Sequence, residues 1–246
     1  MNSNNMLDIP DPDAPLYRIF SKKRFLEVVQ DRQNPLVKPR LWDDPFENFF
    51  LRSEISDPSG NKISIEGLAE DWYGQCWTLN EDTDAMWRIY SHEKNGIKVR
   101  TTIRKLFESF YDATDHYAAL KFFIGMVKYQ KEAEIANFMG RTSFTDIAFG
   151  GQATGFARLL CVKREAFEHE REVRLLFQDT DPRRSTGNVV RFDFDVNAIC
   201  DEVTVDPRLD AAGVAALKSE IMAAGCTIPV SQSTLYRMPK FTLRLG

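Results

Sequence analysis

The chain of 246 residues is poor in sulfur and histidine, with four cysteines (Cys76, Cys161, Cys200, Cys226) and three histidines (His92, His116, His169). The cysteines stand far apart with no CxxC spacing, and no apolar leader segment opens the sequence. Together these features point to reduced thiols in a cytoplasm. The histidines are scattered and none has zinc-ligand spacing, so no metal site is expected. No apolar run approaches the roughly 18 residues of a membrane span. GxGxxG is missing, which leaves hydride transfer on a Rossmann fold without support. Positive charge is not in excess either: 32 Lys and Arg face 36 Asp and Glu, for a net charge of −4 and a pI near 5.5. No overall basic field recruits nucleic acid.

What remains is a globular balance of 43% hydrophobic and 28% charged residues, enough for one large domain or two small ones sharing a core. Residues 1–15 are polar and rich in Asn, Asp and Pro, and read as a loose tail before one domain over 16–246. Leu16–Phe20 reads as a strand. Its Arg18 lies between Leu16 and Phe20 on one face, so the guanidinium needs a carboxylate or phosphate partner or must reach the rim. A helix over Arg24–Gln33 ends at Asn34-Pro35, and a strand follows at Leu36–Trp42. Asp43–Glu47 (D-D-P-F-E) is a turn that either caps a helix or borders a site.

Gln75–Leu79 is an interior strand. The helix Ala85–Glu93 has Met86, Trp87, Ile89 and Tyr90 on a broad apolar face and stops at Asn95-Gly96. Thr102–Tyr111 and His116–Phe123 have helical periodicity, with a strand before them at Ile97–Thr101 and another after them at Val127–Gln130. Ser143–Gly155, with three glycines, reads as a mobile loop near a site. Further strands (Val189–Phe194, Glu202–Val205, Thr227–Ser231, Phe241–Leu245) flank a helix at Ala211–Ala224. The order defines an α+β class: mixed or antiparallel sheets around a cleft, packed by helices.

The most informative stretch is Ala166–Phe177, A-F-E-H-E-R-E-V-R-L-L-F. From Glu168 it alternates with period two, which predicts one strand over 168–177. Val173, Leu175 and Phe177 then face a core, while Glu168, Glu170, Glu172 and Arg174 share the other face. Same-face carboxylates roughly 7 Å apart repel by about 2 kcal/mol at an effective dielectric near 20. Water or a cation must face them, either as a solvated strand face or as a carboxylate pair kept for chemistry. If the pair serves chemistry, the crowding predicts that neutralising Glu172 leaves stability unchanged or slightly raised, whereas a structural ladder with Arg18 or Arg174 predicts a loss.

Four segments in order, L-Y-R-I-F at 16–20, D-D-P-F-E at 43–47, C-W-T-L-N-E-D-T-D-A-M-W-R-I-Y with N-G-I-K-V across 76–99, and E-R-E-V-R at 170–174, resemble the bacterial family catalogued as domain of unknown function 2971. The layout is also similar to the ADP-ribosyltransferase superfamily. That resemblance implies an ADP-ribosyltransferase-like fold and NAD consumed as a substrate. It gives Glu172 the role of catalytic glutamate and Glu170 that of activating an incoming nucleophile. Arg18, beside Tyr17, takes a phosphate of the dinucleotide. Trp77 and Thr78 line the nicotinamide pocket, with Thr78 in a serine role. Trp87 and Tyr90 either stack on the nicotinamide or fill the core. The activity so implied is an ADP-ribosyltransferase or NAD glycohydrolase, of the kind found in bacterial toxins and phage-defence effectors. The acceptor stays open between protein, nucleic acid and water. Two other readings stand beside it: a non-catalytic binding or scaffold domain with a structural Glu/Arg ladder, and a phosphodiesterase or nuclease, which the acidic pI and missing metal cluster disfavour.

Overall fold

Short apolar runs and capped helices follow one another along the chain. The computed structural model describes residues 3–42, 54–56, 59, 62–64, 70–141, 154–179, 187–240 and 242. The first half holds β1 (Met6–Leu7), β2 (Pro15–Phe20), α1 (Lys22–Asp31), β3 (Gln33–Val37), β4 (Glu54–Ser56), β5 (Lys62–Ser64), β6 (Trp72–Thr78), α2 (Asp84–Tyr90), β7 (Ile97–Thr102) and α3 (Ile103–Phe110). After these come α4 (Ala118–Lys121), β8 (Phe122–Met126), β9 (Lys128–Gln130), α5 (Glu132–Arg141), α6 (Gly155–Leu159), β10 (Val162–Arg164), a 3-10 turn (Glu165–Glu170) and β11 (Glu172–Gln178). The chain closes with β12 (Val189–Asp193), α7 (Val196–Ile199), β13 (Glu202–Val205), α8 (Ala211–Ala223) and β14 (Val230–Gln232).

The main sheet is mixed and runs β1-β8-β11-β6-β2-β7-β13-β14, with β3 joining β6 to β12. β1 on β8 and β14 on β13 are parallel, and the rest of its ladders are antiparallel. The class is α+β, as the element order predicted. β6 pairs with β11 along its whole length. Its other edge is divided: Thr78 meets Tyr17 of β2, while Gly74 meets Val37 of β3. Side chains fill the gap between these two bridges. Gln75 and Asn34 exchange hydrogen bonds of 2.9 and 2.6 Å there, both residues buried. The sheet therefore opens at residues 75–77.

Alternation along each strand builds two cores. On one face Val173, Leu175 and Phe177 join Leu16, Trp77, Val99 and Ile124 under α1, α3 and α8. Those helices start where the caps put them: Ser21, Thr102 and Asp210 each accept a backbone N–H from the first turn. Phe110, Phe122, Phe177 and Phe192 form the densest part, with ring centroids 4.7–6.4 Å apart. On the other face a smaller core gathers Leu7, Trp72, Phe123, Leu160, Cys161 and Leu176. Residues 116–123, expected as one helix, form only the short α4 before β8 begins. Phe122 and Ile124 fill the large core and Phe123 the small one, so a strand buried on both faces carries no period of two.

Residues 1–15, expected as a loose tail, are ordered from residue 3 onward. Met6 and Leu7 pair with Ile124 and Gly125, and Leu7 is buried. The reason lies on β8: a Cβ on Gly125 would stand 3.2 Å from Leu7 Cβ and 2.6 Å from Cys161 Sγ, so glycine opens the slot that Leu7 fills. The Asn5 amide then donates to the Ala119 and Phe122 carbonyls. The Asp43–Glu47 turn and most of the Ser143–Gly155 and Phe241–Leu245 segments lie outside the described residues. Leu7→Ala is expected to lower unfolding free energy by about 2–5 kcal/mol, read from a urea midpoint. An unchanged midpoint would mean that residues 3–7 add nothing to the fold.

Candidate active site

Glu172 and Arg174 alternate with Val173 and Leu175 on β11, which turns both charged side chains to the small-core face. Across the ladder they stand opposite Thr78 and Cys76 of β6. The strand expected over 168–177 begins only at Glu172. Glu165–Glu170 forms a 3-10 turn, and Arg171 leaves it in the left-handed region, with φ 45° and ψ 54°. Glu170 and Glu172 are therefore not strand neighbours. The turn folds Glu170 back over the strand end, where its backbone carbonyl accepts from the Thr78 hydroxyl at 2.6 Å. Arg171 is the exposed hinge between the two glutamates.

Both carboxylates converge on Lys163 from β10, a strand that pairs with β9 and lies outside the main sheet. Lys163 Nζ donates to Glu170 Oε2 at 2.6 Å and to Glu172 Oε1 at 2.7 Å. Arg174 takes the other oxygen of Glu172, with Nε at 2.8 Å and Nη2 at 2.7 Å from Oε2. Its Nη1 donates to the Leu160 carbonyl at 2.6 Å, and its guanidinium lies 4.5 Å from the Trp42 ring centroid. Trp42 reaches this place because β6 has glycine beneath it: a Cβ on Gly74 would lie 2.6 Å from Trp42 Cζ2. The four charged side chains are 0–7% exposed. Tyr129 completes the first turn by accepting the Glu172 backbone N–H at 2.8 Å.

The surroundings split the two acids. Burial pushes the Glu172 carboxyl up, but Arg174, the hydrogen bond shared with Glu170 and then Lys163 outweigh it and hold the group well below the usual range. Burial and the hydrogen bond with Glu172 push Glu170 up to about 8, against the pull of Lys163. Glu172 is thus a fixed negative charge, and Glu170 exchanges a proton near neutral pH. Burial, followed by the charges of Glu170 and Glu172, raises the Tyr90 phenol above its ordinary value.

Arg18 comes to this region from the other side of the opening between β2 and β6. It donates from Nη1 to the Cys76 carbonyl, and its guanidinium stands 5.1 Å from the Phe20 ring centroid. Its Nε is buried with no hydrogen-bond partner, and among the described residues no carboxylate forms an ion pair with it. Burial lowers its pKa, while Cys76, Tyr90 and Glu172 act on it in the opposite direction. Arg18 and Glu172 neither pair directly nor stand apart electrically.

The structure therefore gathers Glu170, Glu172, Thr78 and Tyr90 in one neighbourhood. Arg18, which alternates with the large-core residues Leu16 and Phe20, acts on Glu172 and Tyr90 from the opposite face of the sheet. The Thr78 hydroxyl is committed there, donating to Glu170 and accepting from the Asn80 N–H at 3.0 Å. Trp77 is not part of it. Its ring packs edge-on to Phe20 in the large core, and Nε1 donates to Gln75 at 2.7 Å. Trp87 is buried in α2, donates to Asp82 at 2.5 Å, and lines a hollow together with Tyr17 and Thr78. Tyr17 shares a hollow with Thr78, Asn80 and Lys98, and its hydroxyl lies in the field of Glu81, Arg100 and Glu202 rather than of Glu172. Lys163, Tyr129 and Trp42 carry no motif or periodicity that marks them. Only the need for cations to face two acids anticipated a residue such as Lys163. Among the described residues no group of three or more His, Cys, Asp or Glu is arranged to hold a metal, and no helix is long and apolar enough to cross a membrane.

Residues 86–175 match the model of the family described as protein of unknown function (DUF2971), the family that the sequence motifs resemble. The matched span carries Tyr90, Lys163, Glu170, Glu172 and Arg174 but stops short of Arg18 and Thr78. No curated protein matches the sequence. Solved structures of Thermus sp. 2.9 DarT are similar in layout. Its complex with ADP-ribosylated ssDNA aligns at 10% identity over 91% of this chain and 95% of that one, with a TM-score of 0.40. Its complex with NAD+ aligns at 12% identity over 91% and 96%, also at 0.40.

The geometry favours the expectation of the structural ladder for neutralising Glu172, through its pair with Arg174. Glu172→Gln leaves two buried cations facing one carboxyl, and is expected to lower stability by about 3–5 kcal/mol; an unchanged urea midpoint would contradict the network. Glu170 makes stability pH-dependent with a definite sign. Its folded pKa is raised, so its contribution is complete below the unfolded value near 4.3 and is lost as pH climbs through about 8. Compared with Glu170→Gln, the wild type should lose stability steadily between these limits. Parallel curves for the two proteins would show that Glu170 is not held protonated.

Proposed function

We propose that this chain consumes NAD, breaking the nicotinamide–ribose bond and passing ADP-ribose to an acceptor or to water. Arg18 carries the reading. An arginine whose Nε is buried without a partner is costly unless an anion completes it, and a guanidinium forks onto a phosphate. The neighbourhood it acts on holds what the chemistry at the ribose requires. Bond cleavage, in which the leaving nicotinamide takes the electron pair, puts positive charge on the ribose. Glu172, held ionised, stabilises such charge as a fixed electrostatic partner. Both of its oxygens are already bonded, so it acts through its charge and not as a nucleophile. Glu170, in the fraction that has given up its proton as pH approaches about 8, is suited to take the proton of an attacking hydroxyl or water. Tyr90, 39% exposed and in the field of both acids, offers a ring for stacking.

A second reading follows from one observation, the near-complete burial of Glu172 and its saturation by Lys163 and Arg174. A structural network of this kind needs no substrate. Wild-type protein incubated with NAD separates the two: nicotinamide release supports the first, and a stable protein that releases none supports the second. For binding itself, Arg18→Lys is expected to weaken NAD affinity by about 1.5–3 kcal/mol, measured by calorimetry. Lysine keeps the charge but not the planar fork, so equal affinity in both proteins would remove Arg18 from the site.

A further inference from the structure

Lys163 donates to the carboxylates of both glutamates. Its Nζ lies 2.6 Å from Glu170 Oε2 and 2.7 Å from Glu172 Oε1, while the Phe167 ring centroid stands 4.6 Å away. We infer that Lys163 is a positioning residue: it clamps the two glutamates together and keeps the single proton they share on Glu170 in exchangeable form. The catalytic consequence rests on the NAD reading above; the clamp itself does not.

Asymmetry of contact drives the proton to one side. Of the two acids Arg174 bonds Glu172, whereas Lys163 bonds both, so among the described residues Glu172 faces two bonded cations and Glu170 one. The proton therefore rests on Glu170. When Glu170 gives it up, two carboxylates stand side by side in a space nearly closed to water, and Lys163 is the cation that offsets their repulsion. Other groups surround the pair. Tyr90 on α2 and Tyr129 on β9 face both acids, Arg18 on β2 faces Glu172, and Cys76 on β6 faces Tyr90 and Arg18. The two phenols are held protonated by burial, so they add no charge. A lysine suits this task better than an arginine, because one ammonium point can be shared between two oxygens while a planar fork commits to one carboxylate.

The test is a carboxyl and amine titration of the full chain, with 13C-labelled glutamate and 15N-labelled lysine followed by NMR. In wild type the Glu170 carboxyl and the Lys163 amine should report one common midpoint near 8, while Glu172 stays ionised from about pH 5 to pH 9. Lys163→Met should move the Glu170 midpoint at least about one pH unit higher, as loss of an adjacent opposite charge does. Lys163→Gln, which retains a hydrogen-bond donor without charge, should move it in the same direction and covers the case in which the methionine variant does not fold. A Glu170 midpoint unmoved in either folded variant overturns the inference. A wild-type Lys163 signal blind to the Glu170 titration overturns it with no variant needed. Nicotinamide release is recorded separately across the same pH range. If the wild type releases none, the NAD reading fails while the titration still decides the role of Lys163. If it does release nicotinamide, the limb near 8 should move with Lys163→Gln.

Discussion

Glu172 and Arg174 sit buried on one strand face, and burying that much charge costs more than hydrophobic packing returns unless each polar atom finds a partner. Much of the surrounding structure answers this requirement. Lys163 is brought in from outside the main sheet, and the Leu160 carbonyl is turned inward to accept from Arg174. Glycine at position 74 lets the Trp42 ring lie over the guanidinium. Arg171 adopts a left-handed backbone, which non-glycine residues adopt only at some cost, so that Glu170 folds back onto Glu172. Residues on β6 and β10, at the ends of two short helices and at one turn are thus arranged around two side chains.

Arg18 is the counterpoint. Every charge in the network around Glu172 is answered within the protein, whereas Arg18 is buried with a donor unanswered. It lies where β6 exchanges one neighbouring strand for another, so the sheet is open at the place where the cation is unmatched. Asn5 Oδ1 and Trp72 Nε1 are also buried without a hydrogen-bond partner, but of these three groups Arg18 alone carries a charge, and it lies in the field of Glu172. Such local inconsistency marks functional sites more often than structural ones.

Several features were legible before any coordinates. The alternation V-R-L-L-F placed Val173, Leu175 and Phe177 in the core, because a strand has only two faces and apolar residues select the dry one. Arg18, flanked by Leu16 and Phe20, was marked as a cation in need of an anion by its neighbours alone. Three acids in six residues called for cations without naming them. Trp87, on the apolar face of its helix, is buried as such a ring is expected to be, and it lines the hollow beside Tyr17 and Thr78.

What sequence alone determined here is short-range: strand faces, helix starts near Thr102 and at Ala211, and the α+β class, all of which depend on residues within a few positions of one another. Tertiary structure decided the rest. Whether Glu168 or Glu172 met a cation depended on a left-handed turn at Arg171 that no side-chain pattern announces. Lys163 and Trp42 reached the site across long stretches of chain, through a strand outside the main sheet and a missing Cβ at Gly74. Trp77 left the site for the core because register with Val173, set by the whole length of β6, assigned it to the opposite face from Glu172. Periodicity fixes which residues share a face, but only the packed sheet fixes which faces meet.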